Sequence, residues 1–245
     1  ADDYTAYRPG LPDEFYDRLL RLGWIRAGQR ALDLGTGTGA VALGLARRGL
    51  EVTGIDLAEP LLDSARRTAA AEALNARFVH APAEATGEPD ASFDLVSSCQ
   101  AWWWFDGEAA MREALRVLAP GGRLLLCAFS YLALPGTAAG RTEDLILRHN
   151  PGWPKAGWRG VHPEWLEALD LAGFGEVESY SFVAGVPFTH EGWRGRMRTC
   201  NGVGAALPPE QVECFDADLA ALLAAEFPGG LVIPHRVFAA SGVKA

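Results

Sequence analysis

The stretch ALDLGTGTGA, residues 31–40, decides how this chain is read. Arg30–Leu34 is a short apolar run of strand type, and Val41–Arg48 patterns as a helix that stops at Gly49. Gly35, Gly37 and Gly39 therefore fall in the turn between a strand and a helix. Glycine lets the backbone bend sharply there and approach a ligand that a side chain would hold away. The amides at the helix start point into the same space. By itself the loop is ambiguous, because Gly35-x-Gly37-x-x-Ala40 also satisfies the dinucleotide pattern G-x-G-x-x-G/A.

Outward from the loop, short strands and helices alternate. Residues 11–23 place Leu11, Phe15, Leu19 and Leu22 at helical spacing, with Gly23 as a stop. Strands follow at Glu51–Ile55, Arg77–Val79, Phe93–Ser97 and Arg123–Phe129, separated by an Ala-rich helix over 59–74 and a helix over Glu108–Leu118. This order predicts an α/β fold, a doubly wound, mostly parallel sheet with helices on both faces. From Tyr131 to Val161 glycine, proline and tryptophan accumulate around a helix at 138–149, which reads as a cap over one end of the sheet rather than a second core. A helix at 163–172 and strands near 176–183 and 232–239 complete the pattern.

Composition bounds the function. The 245 residues carry a formal charge of −9 and suit one large domain. An acidic field disfavours nucleic acid as a partner. Cys99, Cys127, Cys200 and Cys214 have no close metal spacing, nor do the five histidines, so no metal is expected. The longest apolar run, around 124–134, is too short to span a bilayer. Ala1-Asp2-Asp3 lacks a signal-peptide pattern, so a soluble, cytoplasmic protein without a membrane partner is expected, as monomer or homodimer. Eight tryptophans are the unusual number.

Three neighbours of the loop narrow the chemistry. Asp33 puts a carboxylate at the end of the first strand, where it would repel a pyrophosphate but suit a cation or an amino group. Asp56 ends the second strand (VTGID), placed to accept two ribose hydroxyls, as in dinucleotide sites too. FDLV (93–96) and RVLAPGGRLLL (116–126) continue the same punctuation. As an ordered set, LDLGTGTGA, VTGIDLAEPLLDSAR, ASFDLV and ALRVLAPGGRLLL resemble a class I S-adenosylmethionine-dependent methyltransferase. YTAYRPGLP near the start and THEGWRGRMRTCNG near the end resemble the small-molecule branch that includes trans-aconitate methyltransferase-like enzymes.

The resemblance implies a Rossmann-like, seven-stranded sheet in a single domain over 1–245. It comprises an N-terminal helical lid (1–29), a cofactor-binding core (30–130), a cap after the fifth strand (131–162) and a C-terminal completion (163–245). S-adenosylmethionine is the implied cofactor and S-adenosylhomocysteine its product. Asp33, Gly35, Thr36, Gly37 and Gly39 would border the methionine part, Asp56 would hold the ribose, and Leu57 would pack on adenine. Ala83 and Glu84 would meet the adenine edge, although Pro82 stands where the family often has Asp. Cys99 and Gln100 would line the methionine amino group, and Tyr7 and Arg8 fit an element that covers its carboxylate.

The substrate side is less determined. QAWWWFD (100–106) has Trp103 where the branch usually has His. Trp102 and Trp103 could stack an aromatic acceptor or hold a cationic amine, or could simply pack under the cap, where Trp153 and Trp158 also lie. Candidate bases are His162, Tyr4 and Tyr7, then His190 and His235. His162 precedes Pro163 and could equally serve only the start of a helix. Arg194, Arg196 and Arg198 alternate, a spacing that suits one face of an extended segment. Arg196, Arg198 and the nearby Asn201 could bind a carboxylate or phosphate, or form a solvated face. The carboxylates Glu108 and Glu113 read as helix surface.

The expected function is transfer of a methyl group to a small-molecule acceptor (aromatic, amine or carboxylate-bearing), chiefly by positioning and exclusion of water. An NAD(P)-dependent oxidoreductase and a non-methylating S-adenosylmethionine-binding cyclase or regulator are the alternatives.

Overall fold

The structure is a computed structural model and describes residues 9–245. Its seven strands are β1 (Arg30–Leu34), β2 (Glu51–Asp56), β3 (Ala76–His80), β4 (Phe93–Cys99), β5 (Leu118–Tyr131), β6 (Gly175–Phe188) and β7 (Leu231–Val243). They form one sheet in the order β3-β2-β1-β4-β5-β7-β6. The strands from β3 to β5 run parallel, with Asp33 opposite Gly54 on one side and Ser97 on the other. β7 runs against β5: Gly121 and Gly122 bond to Lys244, while Leu132, just past the end of β5, bonds to Pro234. β6 in turn lies antiparallel to β7, since Gly175 is beside Val243 and Gly185 beside Val232. The sheet is therefore mixed, with a parallel half that carries the glycine loop. The strand order reverses at β1, with β2 to one side and β4 to the other, and that switch point opens a crevice at the strands' C-terminal ends.

The helices are α1 (Asp13–Arg21), α2 (Ala40–Ala46), α3 (Glu59–Ala71), α4 (Gly107–Val117), α5 (Ala138–His149), α6 (Pro163–Leu171), α7 (His190–Arg198) and α8 (Pro209–Glu226). Their ends have local causes. α1 begins after Pro12, has Asp13 and Glu14 in its first turn and Arg18 and Arg21 in its last, and buries Phe15, Tyr16 and Leu19. Asp106, Thr137 and Thr189 cap α4, α5 and α7, each side chain accepting from a backbone amide three residues on.

Two compact units share the chain. One comprises 10–129, 161–181 and 237–245; the other includes 130–160 and 182–236. In the first, Leu32, Leu34, Val96, Leu124 and Leu126 of the parallel strands pack with Ala110, Ala114 and Val117 of α4 and with Trp165 and Leu169 of α6. In the second, Ile146, Trp153, Trp193, Phe215, Leu219, Leu223 and Ile233 form a core of their own. The expectation that 131–162 lacks a core is thereby corrected. Its apolar positions are matched by residues from α7 and α8, far along the chain.

Candidate active site

Asp33, next to last in β1, is 2% exposed, and Ser97 Oγ on β4 donates to its Oδ1 at 2.7 Å. Burial pushes its pKa up to about 6, against the hydrogen bond from Ser97, which favours the charged form. Such a carboxyl is unusual in a sheet core and suits a ligand that brings a positive group.

The glycine loop wraps the next two positions. Gly35, at φ +66°, has no room for a side chain: a Cβ would lie 2.5 Å from Ala101 Cβ and 2.9 Å from the Phe105 ring. The loop and the turn after β4 are therefore seated directly on each other. Gly37, at φ +55°, faces open space instead, and its amide donates to Asp56 Oδ2 at 2.8 Å. Ala58 N donates to the other oxygen, Asp56 Oδ1, at 2.9 Å. Two backbone amides thus fix the Asp56 carboxylate, and each oxygen keeps a second acceptor direction for a ligand hydroxyl. Thr36 N bonds to Ile55 O at 2.8 Å, tying the loop to β2, and Gly39 is the left-handed residue that starts α2.

Beside Asp56, Leu57 is 63% exposed, while Ala83 is buried. Glu84 Oε1 accepts from Asp106 N at 2.9 Å, so its carboxylate braces the start of α4. Cys99 ends β4 and pairs in register with Cys127 of β5. Gln100 follows at φ +55°, a left-handed conformation that costs a non-glycine residue energy and that recurs at ligand-binding turns. Its backbone amide bonds to Cys127 O at 3.0 Å and its side-chain amide to Phe129 O at 2.6 Å, and both tie the turn after β4 to β5. Tyr4, Tyr7 and Arg8 lie outside the described residues.

Trp102–Trp104 form a single 3-10 turn. Trp102 is buried, edge-on to Phe105 at 5.9 Å, whereas Trp103 is 43% exposed. His162 is buried, with Nδ1 2.7 Å from Glu164 Oε1, and it lies flat on Trp165 at 4.0 Å. Trp165, which sequence reasoning missed, could have been found from its place one helical turn after the His162-Pro163 helix start.

The second unit holds the remaining candidates. WRGRMR is part of α7, not an extended segment, so Arg194 and Arg198 share one helix face and Arg196 points elsewhere. Arg194 and Arg198 both pair with Asp216 and Glu191. Arg196 lies over the Tyr131 ring at 5.8 Å. Asn201 Oδ1 accepts from Trp153 Nε1 at 3.1 Å, which makes it a packing partner of that core tryptophan. Trp158 is half-exposed. His190 Nε2 is bonded to Phe227 O, and His235 is buried against Phe188, its pKa pushed down to about 4 by burial. Glu113, expected on a helix surface, is instead buried in the first unit: Thr86 and Arg116 both bond to it.

A methyltransferase-domain family profile matches residues 32–126, the span from β1 through most of β5. A demethylmenaquinone methyltransferase of Clavibacter sepedonicus is 31% identical over 202 residues, covering 72% of this chain and 80% of that protein. The chain belongs to the class I S-adenosylmethionine-dependent methyltransferases. A demethylmenaquinone methyltransferase of Thermus thermophilus is 47% identical over 115 residues, 46% of this chain. The chain spans about half the length of that relative, 52%. Among solved structures, a candidate type II methyltransferase from Anaeromyxobacter dehalogenans superposes with a TM-score of 0.70 at 25% identity, over 98% of both chains. For this family member no helix among the described residues is long and apolar enough to cross a membrane.

Proposed function

We propose that the chain transfers the methyl group of S-adenosylmethionine to a small-molecule acceptor. One observation carries the reading: two carboxylates, buried Asp33 and amide-held Asp56, stand at the ends of adjacent parallel strands around a loop whose Gly37 leaves the approach open. These residues fit the cofactor's chemistry. Asp56 offers two fixed acceptor directions to a ribose diol, and Leu57 offers exposed apolar surface to adenine. Asp33 offers counter-charge to the cationic end, and Cys99 and Gln100 would line the methionine amino group beside it.

When bound, the cofactor supplies an electrophilic methyl on a positively charged sulfur. The chain's part is to place the acceptor in line with that methyl and to keep water out. Desolvation of Asp33 makes it a stronger counter-charge than it would be in water. A cationic ligand beside it favours its ionised form, so cofactor affinity rises with pH through about 6. Two of the relatives are named for demethylmenaquinone, and an aromatic acceptor is the class the exposed Trp103 suits best. The pairing of Arg198 with Asp216 and Glu191 gives less support to a carboxylate-bearing one.

Incubation with methyl-labelled cofactor and a panel of aromatic alcohols, amines and carboxylic acids tests the reading. Label in an acceptor, matched by S-adenosylhomocysteine, is the expected result. Tight cofactor binding with no transfer to any panel member would favour the non-methylating use of the fold.

A further inference from the structure

We propose that Trp103 is the shelf on which an aromatic acceptor lies, and that His162 is a positioning residue for that shelf rather than a base; the inference rests on the methyl-transfer reading above. Three flat rings make the case. His162 lies 4.0 Å from Trp165 with 4° between the planes. Trp103 stacks with His162 at 5.8 Å and 18°, and with Trp165 at 6.5 Å and 15°. Phe238 flanks both His162 and Trp165 at 6.1 and 5.9 Å. Three near-parallel rings from two separate segments thus meet in one cluster, His162 face to face with Trp165 and Trp103 alongside the pair as its exposed member.

The cluster has a fixed foundation. Pro163 opens α6 directly after His162, and Glu164 holds His162 Nδ1 at 2.7 Å. Trp102, buried beside Phe105, anchors the turn that carries Trp103, and Ala101 and Phe105 of that turn rest on Gly35 of the glycine loop. Trp103 therefore stands one turn beyond the loop that the cofactor reading requires. An exposed indole ordinarily samples several rotamers, and fixing it costs side-chain entropy. The two rings alongside it, nearly parallel to it, restrict those rotamers and offset that cost. His162, buried on the face of Trp165, contributes a flat ring to this arrangement. A planar ring gains offset stacking on such a surface beyond the area it buries, whereas a saturated molecule of equal size gains the area alone.

Naphthol, with decahydronaphthol as its saturated counterpart, is the probe, titrated calorimetrically into protein saturated with S-adenosylhomocysteine. Wild type should prefer naphthol. Trp103→Leu should weaken naphthol about tenfold and abolish the preference, and Trp103→Phe should retain part of it. His162→Phe keeps a flat ring without a nitrogen and should hold naphthol within about twofold of wild type, whereas His162→Ala should fall toward Trp103→Leu. Equal wild-type affinity for the two probes, naphthol binding unchanged in Trp103→Leu, or a fall in His162→Phe as large as in His162→Ala overturns the inference. Should His162→Ala fail to fold, the Trp103→Leu and His162→Phe arms decide alone. Protein that binds S-adenosylhomocysteine but not naphthol overturns this inference and leaves the methyl-transfer reading standing; protein that binds no S-adenosylhomocysteine overturns that reading.

Discussion

Asp33 shows how a single residue couples function to stability. Its pKa is raised from the ordinary aspartate range to about 6, so the folded state holds its proton more tightly than the unfolded state does. Stability therefore falls as pH rises between about 4 and 6, and the full cost of the buried charge is present above 6. Asp33→Asn should raise stability at pH 8 by about 1–3 kcal/mol, and that gain should shrink as pH is lowered to 5. Thermal melts across this range check the sign; a gain that grows on acidification would contradict it. The two glycines separate in the same way. Gly35→Ala combines left-handed strain of about 1–2 kcal/mol with overpacking of about 1–3 kcal/mol against Ala101 and Phe105. Gly37→Ala meets open space and carries the strain alone, so its melting temperature should fall less.

At the scale of elements, the network around Glu113 ties the segment after β3 to α4. Thr86 donates through both its amide and its hydroxyl, and Arg116 holds Glu113 while also reaching Asp90 and Glu88 O. The Arg116 guanidinium and the Thr86 bonds pull the Glu113 pKa down to about 2. The stabilisation is present above the ordinary glutamate range and is lost as pH falls from about 4.5 toward 2. Glu113→Gln should lower the melting temperature at pH 7, and the deficit should vanish in strong acid; a deficit independent of pH would contradict the account. Elements of this unit were legible because their signals are local. β1 runs into Gly35 and β2 ends at Asp56, and in the other unit helix 138–149 is found at those bounds between capping Thr137 and Asn150. What stayed hidden depends on distant partners. Alternating arginines look like a strand until Trp193 and Met197, buried at helical spacing, decide for α7. Glu113 looks exposed until Thr86 arrives from another segment. The ring cluster around Trp103 joins residues about sixty positions apart, which no spacing rule connects.

For the whole molecule, the tryptophan count resolves into two uses. Trp24, Trp102, Trp153, Trp165 and Trp193 are buried, and the two in the second unit give their indole N–H to Asn201 and Thr142. Trp103, Trp104 and Trp158 are the exposed ones, and two of them belong to the turn after β4. Local sequence order gave the parallel half of the sheet. The second core could not be read the same way, because it is assembled from 130–160 and 182–236. The central claim, that the crevice at the ends of β1 and β2 holds S-adenosylmethionine, is tested most directly by calorimetric titration of S-adenosylhomocysteine into wild type and Asp56→Ala. Wild type should bind, and loss of the carboxylate should weaken binding about tenfold to a hundredfold, as expected for hydrogen bonds to a charged acceptor. No binding by wild type, or equal affinity in Asp56→Ala, would contradict the claim.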